Sequence, residues 1–124
     1  MEDYLDAGIG TCIFKNENMS EHLASTLKHF DGIRYELGTW VIMPNHVHVI
    51  IQPLPEYDLR EIVQSWKSYS AKEMNRQLGR SGRLWQDESF DQIVRSERHL
   101  YRIEEYIRRN PEEAKVTVHH ASWL

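Results

Sequence analysis

The chain has few of the features that mark secreted and membrane proteins. Its only cysteine, Cys12, cannot form an internal disulfide, and a zinc site built from cysteines is excluded. No apolar run approaches the roughly 20 residues that span a bilayer, and the acidic start MEDY lacks the basic and apolar regions of a signal peptide. We therefore expect a cytoplasmic protein that binds no membrane, with Cys12 buried as a small hydrophobe.

Length and charge indicate how many domains the chain forms and whether it could bind nucleic acid. A chain of 124 residues with 40% hydrophobic content can build one core, so residues 1–124 are expected to form a single domain. The formal net charge of −4 is unusual for a nucleic-acid-binding protein, but the basic residues are unevenly spread. Between residues 67 and 83, five Lys or Arg accompany one Glu. This stretch is either a solvated helix face or a contact for a phosphate backbone.

Apolar periodicity and turn residues predict the order strand, helix, strand, strand, helix, strand, helix. The predicted strands are 8–14, 33–42, 46–52 and one or two pieces within 84–94; the predicted helices are 20–30, 59–78 and 96–110. Ser20 and Asp58 are the expected N-caps, and Pro111 is expected to end the last helix. This order predicts an α+β fold, a ferredoxin-like split β-α-β domain whose antiparallel sheet carries its helices mainly on one face.

Two histidines on one predicted strand are the clearest chemical feature. Residues 43–51 read MPNHVHVII, and side chains alternate between the two faces of a strand. His46 and His48 therefore project together, with Val47 and Val49 on the opposite face. Such a pair can bind one divalent cation, although many pairs of this kind are only hydrogen-bonded residues of a sheet.

The last predicted helix supplies a candidate nucleophile. Tyr106 and Asn110 are four residues apart and share a helix face. A tyrosine hydroxyl can attack a phosphodiester and hold the product as a phosphotyrosine ester. Mg²⁺ or Mn²⁺ on His46, His48 and Asn110 would neutralise the scissile phosphate. Tyr101 is the rival nucleophile, but it lies about 140° around the helix from Tyr106 and lacks the amide partner.

In this order, these motifs closely resemble the REP-associated tyrosine transposases, single-tyrosine HUH transposases of small insertion sequences. The matching segments are WVIMPNHVHV (40–49), WKS (66–68), LWQ (84–86), FD (90–91), IVR (93–95) and YIRRNP (106–111). The resemblance implies metal-dependent cleavage and joining of single-stranded DNA at REP-like palindromic hairpins, through a 5′-phosphotyrosine on Tyr106. It also implies that His46, His48 and Asn110 bind the metal. We expect a nucleoid-associated monomer, with a dimer as the alternative.

DNA contacts are expected in the basic stretch and just after it. Lys67 is assigned to DNA because its type and position match the family. The other expected contacts are Lys72, Arg80, Arg83, Trp85 and Gln86. Trp85 is equally suited to the core, and Trp66 is expected in the core.

Two other functions stay open at this point. The acidic composition is compatible with a catalytically inactive or domesticated module that only holds hairpin nucleic acid. A weaker alternative is a small metal-binding regulator that uses His46 and His48 alone. A covalent protein–DNA adduct distinguishes the enzyme from both.

Overall fold

The computed structural model describes residues 2–10, 12–94, 96–114 and 118–119, with the backbone alone at 87–92, 110–114 and 118–119. The strands are β1 (Asp3–Ile9), β2 (Tyr35–Met43), β3 (His46–Pro53), β4 (Trp85–Ile93) and the short β5 (Val118–His119). The helices are α1 (Glu17–His29), α2 (Leu59–Leu78) and α3 (Glu97–Ala114), with a short 3-10 helix at Ile13–Lys15. Apart from the 3-10 helix and β5, the order of strands and helices is the predicted one, and the α+β class is confirmed. Among the described residues, no helix is both long and apolar enough to cross a membrane.

The strands form one antiparallel sheet in the order β4-β1-β3-β2-β5. β1 lies between β4 and β3, and its register with β3 places Asp6 opposite His48 and Gly8 opposite His46. The histidine strand is therefore central in the sheet, and β1 supplies one of its two neighbours.

A bulge in β2 changes which side chains face which side of the sheet. From Leu37 to Trp40, three residue steps of β2 oppose only two steps of β3. Leu37 and Trp40 consequently share one face, whereas Thr39 points to the opposite face, where its hydroxyl meets Glu104 of α3. The bulge thus gives α3 a polar anchor on the sheet.

The two faces of the sheet are covered by different helices. One face packs under α1 and α2, with Trp40, Val49 and Ile51 among its fully buried side chains. The other packs under α3, where Ile103 and Ile107 contact a cluster containing Tyr4, Val41, Ile50 and Val94. Two helices on one face and one on the other agree with the predicted arrangement, and α3 lies on the face that carries the histidines.

The ends of α2 follow the sequence, whereas α1 begins earlier than expected. The Asp58 side chain accepts a hydrogen bond from the backbone N–H of Arg60 at 2.9 Å, and α2 ends at Gly79, whose φ of 65° is left-handed. Both ends of α2 are confirmed. Asn16, not Ser20, caps α1, because its side chain accepts from the N–H of Asn18 at 2.9 Å.

The prediction for the first strand was wrong. β1 begins and ends earlier than predicted: it spans Asp3–Ile9, and a 3-10 helix lies at Ile13–Lys15. The N–H of Phe14 donates to the carbonyl of Pro44 at 3.0 Å, so the apolar segment buries Phe14 within a turn. Cys12 is exposed, contrary to expectation.

Of the two later boundaries, one agrees with the prediction and one differs. Residues 85–93 form one continuous strand, β4, which is the single-strand alternative, because that backbone pairs along β1. The last helix differs, because α3 continues through Pro111 to Ala114. A proline inside a helix removes one backbone hydrogen bond but leaves the following residues able to continue the helix.

Candidate active site

The two predicted histidines lie together at the end of β3 near the Pro44-Asn45 turn. His48 is only 2% exposed and His46 is half-buried, and their Nε2 atoms are 3.0 Å apart. Asp6 of β1 joins them: its Oδ2 lies 3.9 Å from Nδ1 of His48. A ring nitrogen of each histidine and a carboxylate oxygen of Asp6 all lie within 4.8 Å of one another.

In each imidazole, Nδ1 contacts an oxygen atom of another side chain. Oη of Tyr4 lies 2.5 Å from Nδ1 of His48, and the two rings are stacked with centroids 5.8 Å apart. Oδ1 of Asn45 lies 2.8 Å from Nδ1 of His46. In each ring Nδ1, the outer nitrogen, therefore has an oxygen partner, and Nε2, the inner nitrogen, faces the other ring.

Burial sets the protonation of this cluster. It lowers the pKa of His48 to about 4; the charge of Asp6 acts in the opposite direction, and His46 lowers it further. Burial also raises the pKa of Tyr4, and the charges of Asp6 and Tyr106 raise it further. At neutral pH His48 is thus a neutral imidazole with one unprotonated nitrogen, and Tyr4 is a neutral phenol.

The donor set fits a divalent metal. Two nitrogens bound at right angles to one cation, at about 2.1 Å each, are about 3.0 Å apart, which matches the observed separation of the two Nε2 atoms. The Asp6 carboxylate adds an oxygen donor. Asn110 lies in α3, one turn after Tyr106, but its side chain is outside the described part of the structure.

Tyr106 lies beside the cluster formed by Asp6, His46 and His48. Its ring meets the His48 ring edge-on, with centroids 5.3 Å apart and planes at 88°, and its side chain is 54% exposed. The phenol is thus next to the histidines and open to a ligand. Tyr101, the rival nucleophile, is 62% exposed and lies elsewhere around α3.

The position of Tyr106 depends on how α3 is anchored. Ile103 and Ile107 pack on the sheet, and Glu104 accepts a hydrogen bond from the Thr39 hydroxyl at 3.2 Å. Arg108 lies 3.5 Å from the same Glu104 carboxylate. One apolar stripe and one buried polar contact therefore fix the helix that carries Tyr106.

Most of the predicted DNA-binding residues meet at one pocket of about 350 Å³ between α2 and the start of β4. Its lining is Gln64, Lys67, Ser68, Ala71, Arg83, Leu84, Trp85 and Gln86. Nζ of Lys67 donates to the carbonyl of Gln86 at 3.3 Å. Lys72 and Arg80 are exposed but are not part of this lining.

The pocket reaches the edge of the histidine site through Gln86. A Cβ atom placed on Gly8 would lie only 2.9 Å from Oε1 of Gln86 and 3.7 Å from the carbonyl oxygen of Asn45. Gly8 pairs with His46 across the sheet. The missing side chain at Gly8 therefore lets the Gln86 amide approach the turn that carries the first histidine.

Trp85 occupies the core, which is one of the two positions left open for it. It is 6% exposed, its indole N–H donates to Oγ of Ser70 at 2.8 Å, and its ring packs near Phe14. Trp66 is buried as expected and donates to Oη of Tyr35 at 3.0 Å. The ring of Trp85 is therefore too buried to stack on a base, although the residue contributes to the lining of the pocket.

Asp6 and Tyr4 were missed because the first strand was placed too late. In β1, Leu5, Ala7 and Ile9 are buried on the α1 and α2 face, so Tyr4 and Asp6 share the histidine face. An acid in the middle of an alternating apolar strand was the available signal. Assigning the strand from residue 3 would have placed that carboxylate on a defined face.

Comparisons with known proteins agree with this arrangement. Similar solved structures include a REP-associated tyrosine transposase bound to a REP hairpin, with a TM-score of 0.69 and 19% identity over 90% of this chain and 67% of that one. A candidate transposase from Deinococcus radiodurans R1 has a TM-score of 0.60 and 21% identity over 88% of this chain and 89% of that one. At these identities the similarity establishes a shared fold. No curated protein matches the chain.

The family follows from the sequence match. The model of the IS200-like transposases matches residues 11–110, which include both histidines, the basic stretch and Tyr106. That span covers most of the chain and confirms the resemblance to single-tyrosine transposases. The chain therefore belongs to the IS200-like transposase family.

Proposed function

We propose that this transposase nicks and rejoins single-stranded DNA by metal-dependent chemistry, with Tyr106 as the nucleophile. The observation that carries the proposal is the edge-on contact of Tyr106 with His48, 5.3 Å between ring centroids, beside a cluster that fits a divalent cation. A nucleophile and a phosphate-binding cation must share one phosphate, so their side chains must be neighbours. His46, His48 and Asp6 are the proposed ligands, with Asn110 as a further one.

The proposed reaction exchanges one ester bond for another. The phenol oxygen of Tyr106 forms a bond to phosphorus while the bond to the 3′-oxygen breaks; the phenol gives up its proton, and the 3′-oxygen takes one and leaves as a hydroxyl. The 5′ end stays attached to the protein as a phosphotyrosine ester. Attack by a 3′-hydroxyl reverses the step and joins two strands. A bound Mg²⁺ or Mn²⁺ supplies charge neutralisation on the phosphate.

Hairpin DNA is the proposed substrate. One structural neighbour is bound to a REP hairpin, and the pocket beside this site is lined by Lys67, Arg83 and Gln86. Two cationic side chains suit a phosphate backbone, and the Gln86 amide suits hydrogen bonding to a base or sugar. We propose that single-stranded DNA next to the hairpin follows this pocket toward Tyr106, and that one monomer holds the complete site.

A covalent-adduct assay tests the proposal. The wild-type protein and Tyr106→Phe are incubated with labelled single-stranded hairpins from the palindromes flanking the gene, with Mn²⁺, Mg²⁺ or chelator, and analysed on a denaturing gel. We expect an adduct only with wild type and metal, because phenylalanine lacks the attacking oxygen. Tyr101→Phe is the matched control and keeps the adduct.

The same assay separates the enzyme from the alternative of a binding module. An adduct that persists in Tyr106→Phe would remove the nucleophile assignment. Hairpin binding without an adduct in any metal would instead favour a domesticated module, for which the net charge of −4 is the supporting observation.

A further inference from the structure

We infer that Tyr4 is the positioning residue of this site: its hydroxyl holds Nδ1 of His48, and when Nε2 of that ring binds a metal, the phenol oxygen accepts the hydrogen bond from Nδ1–H. The inference rests on the proposed metal site and adds a residue that contacts neither metal nor DNA. It starts from a buried contact of 2.5 Å between Oη of Tyr4 and Nδ1 of His48, across 44 residues of sequence.

A neutral imidazole carries one proton, and the position of that proton decides which nitrogen can bind a metal. With the proton on Nδ1, Tyr4 accepts it and Nε2 of His48 is free to coordinate. With the proton on Nε2, the phenol donates to Nδ1 and the inner nitrogen is blocked. The Nε2 atoms of His46 and His48 are 3.0 Å apart. Without a cation this is the length of a hydrogen bond between the two rings, and with one it suits two ligands of the same cation.

His46 is held in a parallel way. Its Nδ1 lies 2.8 Å from Oδ1 of Asn45, and an amide oxygen only accepts hydrogen bonds, so the proton of a neutral His46 is on Nδ1. The backbone of Asn45 is itself fixed, because its carbonyl accepts from the N–H of Ile9 at 2.9 Å. Both imidazoles therefore use an oxygen partner at Nδ1. Without a cation, Nε2 of His46 accepts the hydrogen bond between the two rings, so the proton of His48 is then on Nε2. Metal binding at Nε2 must move that proton to Nδ1, where the Tyr4 oxygen accepts it.

The alternative partner for His48 is Asp6, but the geometry favours Tyr4. Oδ2 of Asp6 is 3.9 Å from Nδ1, beyond hydrogen-bond distance, and its side chain is 36% exposed. The phenol of Tyr4 is 8% exposed and stacks parallel to the His48 ring, with 6° between the planes. Asp6 is thereby left for the cation, and Tyr4 holds the imidazole.

The test measures Mn²⁺ affinity and the tautomer of His48, both without DNA. We expect Tyr4→Phe to weaken Mn²⁺ binding about 10- to 100-fold by calorimetric titration, whereas Tyr101→Phe, the same chemical change on an exposed tyrosine, leaves it unchanged. By ¹⁵N NMR of the imidazoles in the wild type, the proton of His48 should be on Nε2 without metal and on Nδ1 in saturating Mg²⁺. A Tyr4→Phe affinity equal to or higher than that of wild type would overturn the inference.

The tautomer measurement uses the unaltered protein, so the inference stays testable even where Tyr4→Phe is too unstable to study. A proton that moves from Nε2 to Nδ1 of His48 when Mg²⁺ is added supports it, and a proton that stays on the same nitrogen overturns it. Failure of the proposed function looks different, because wild type then binds no Mn²⁺ or forms no adduct, whatever the tautomer. A further variant, Asn45→Ala, should weaken Mn²⁺ binding less than Tyr4→Phe, since the partner that it removes is exposed.

Discussion

The two faces of the sheet differ in composition and in what they do. The face under α1 and α2 is the larger apolar cluster, closed by Trp66, Trp85 and Met74. The face under α3 is smaller and mixes Val41 and Ile50 with polar groups, among them buried His48. Polar side chains are expensive to bury unless they are hydrogen-bonded. We expect the first face to supply most of the stability, and the second carries the candidate site.

This division explains how one thin sheet supports both tasks. Alternate residues of β3 serve opposite faces: Val47, Val49 and Ile51 anchor the strand in the larger core. His46 and His48 are then held on a strand that is already fixed from the other side. A rigid support of this kind keeps ligands at defined positions without requiring a large core around the site itself.

The largest expected effect is on the free energy of unfolding. Ile50 and Ile51 are adjacent, fully buried and on opposite faces of the sheet, so they can be compared directly. Ile51→Ala should lower the free energy of unfolding by about 4 kcal/mol, and Ile50→Ala by about 2 to 3 kcal/mol, because the smaller cluster beneath α3 can close more of the cavity. Urea denaturation measures both values. An equal or larger loss in Ile50→Ala would show that the α3 face is no less important for stability.

The second expected effect is a loss of stability in acid. It arises from His48, on the face under α3. The pKa of His48 is lowered to about 4 in the folded protein and is about 6.5 when unfolded. Between these values the unfolded chain takes up a proton that the folded protein does not, so stability falls as the pH is lowered. Without metal, the loss should approach about 3 kcal/mol near pH 4.

The measurement is urea denaturation in chelator at several pH values, for wild type and His48→Asn. Other groups titrate in both proteins, so the difference between the two curves isolates His48. We expect a shallower pH dependence in the variant. Parallel curves for the two proteins would contradict the low pKa of His48.

A smaller effect compares two buried threonines on the two faces. Thr39→Val removes the hydroxyl that donates to Glu104, and Thr26→Val removes one that donates to the carbonyl of His22 at 2.9 Å within α1. Each should cost about 1 kcal/mol of unfolding free energy. Only Thr39→Val should also slow adduct formation, because it loosens the helix that carries Tyr106. Equal adduct rates in both variants would show that the Thr39 contact does not position the tyrosine.

The smallest effect concerns the DNA surface. Lys67 lines the pocket next to the histidine site, whereas Lys72, also on α2, does not. Lys67→Ala should weaken hairpin binding by about 1 kcal/mol and lower the slope of its salt dependence by about 1. Lys72→Ala should have less effect. Equal losses in fluorescence anisotropy titrations would indicate a broad basic surface and not a pocket.

Local sequence patterns predicted the elements whose boundaries depend on nearby residues. α2 begins after Asp58 and ends at Gly79 because a cap and a left-handed glycine act on the adjoining turn. The shared face of His46 and His48 follows from the alternation of a strand. The prediction for β1 was wrong because residues 8–14 are apolar in sequence, while the partner strand that selects residues 3–9 lies about 44 positions away.

The sequence by itself determined the order of strands and helices, the common face of the two histidines and the choice of Tyr106 as the candidate nucleophile. Each of these depends on a local repeat or on residues within one turn. Tertiary structure alone decided that Tyr4 and Asp6 contact His48, that α3 covers the histidine face and that Trp85 fills the core. Those contacts depend on the register between distant strands and on competition for buried space, which spacing along the chain does not reveal.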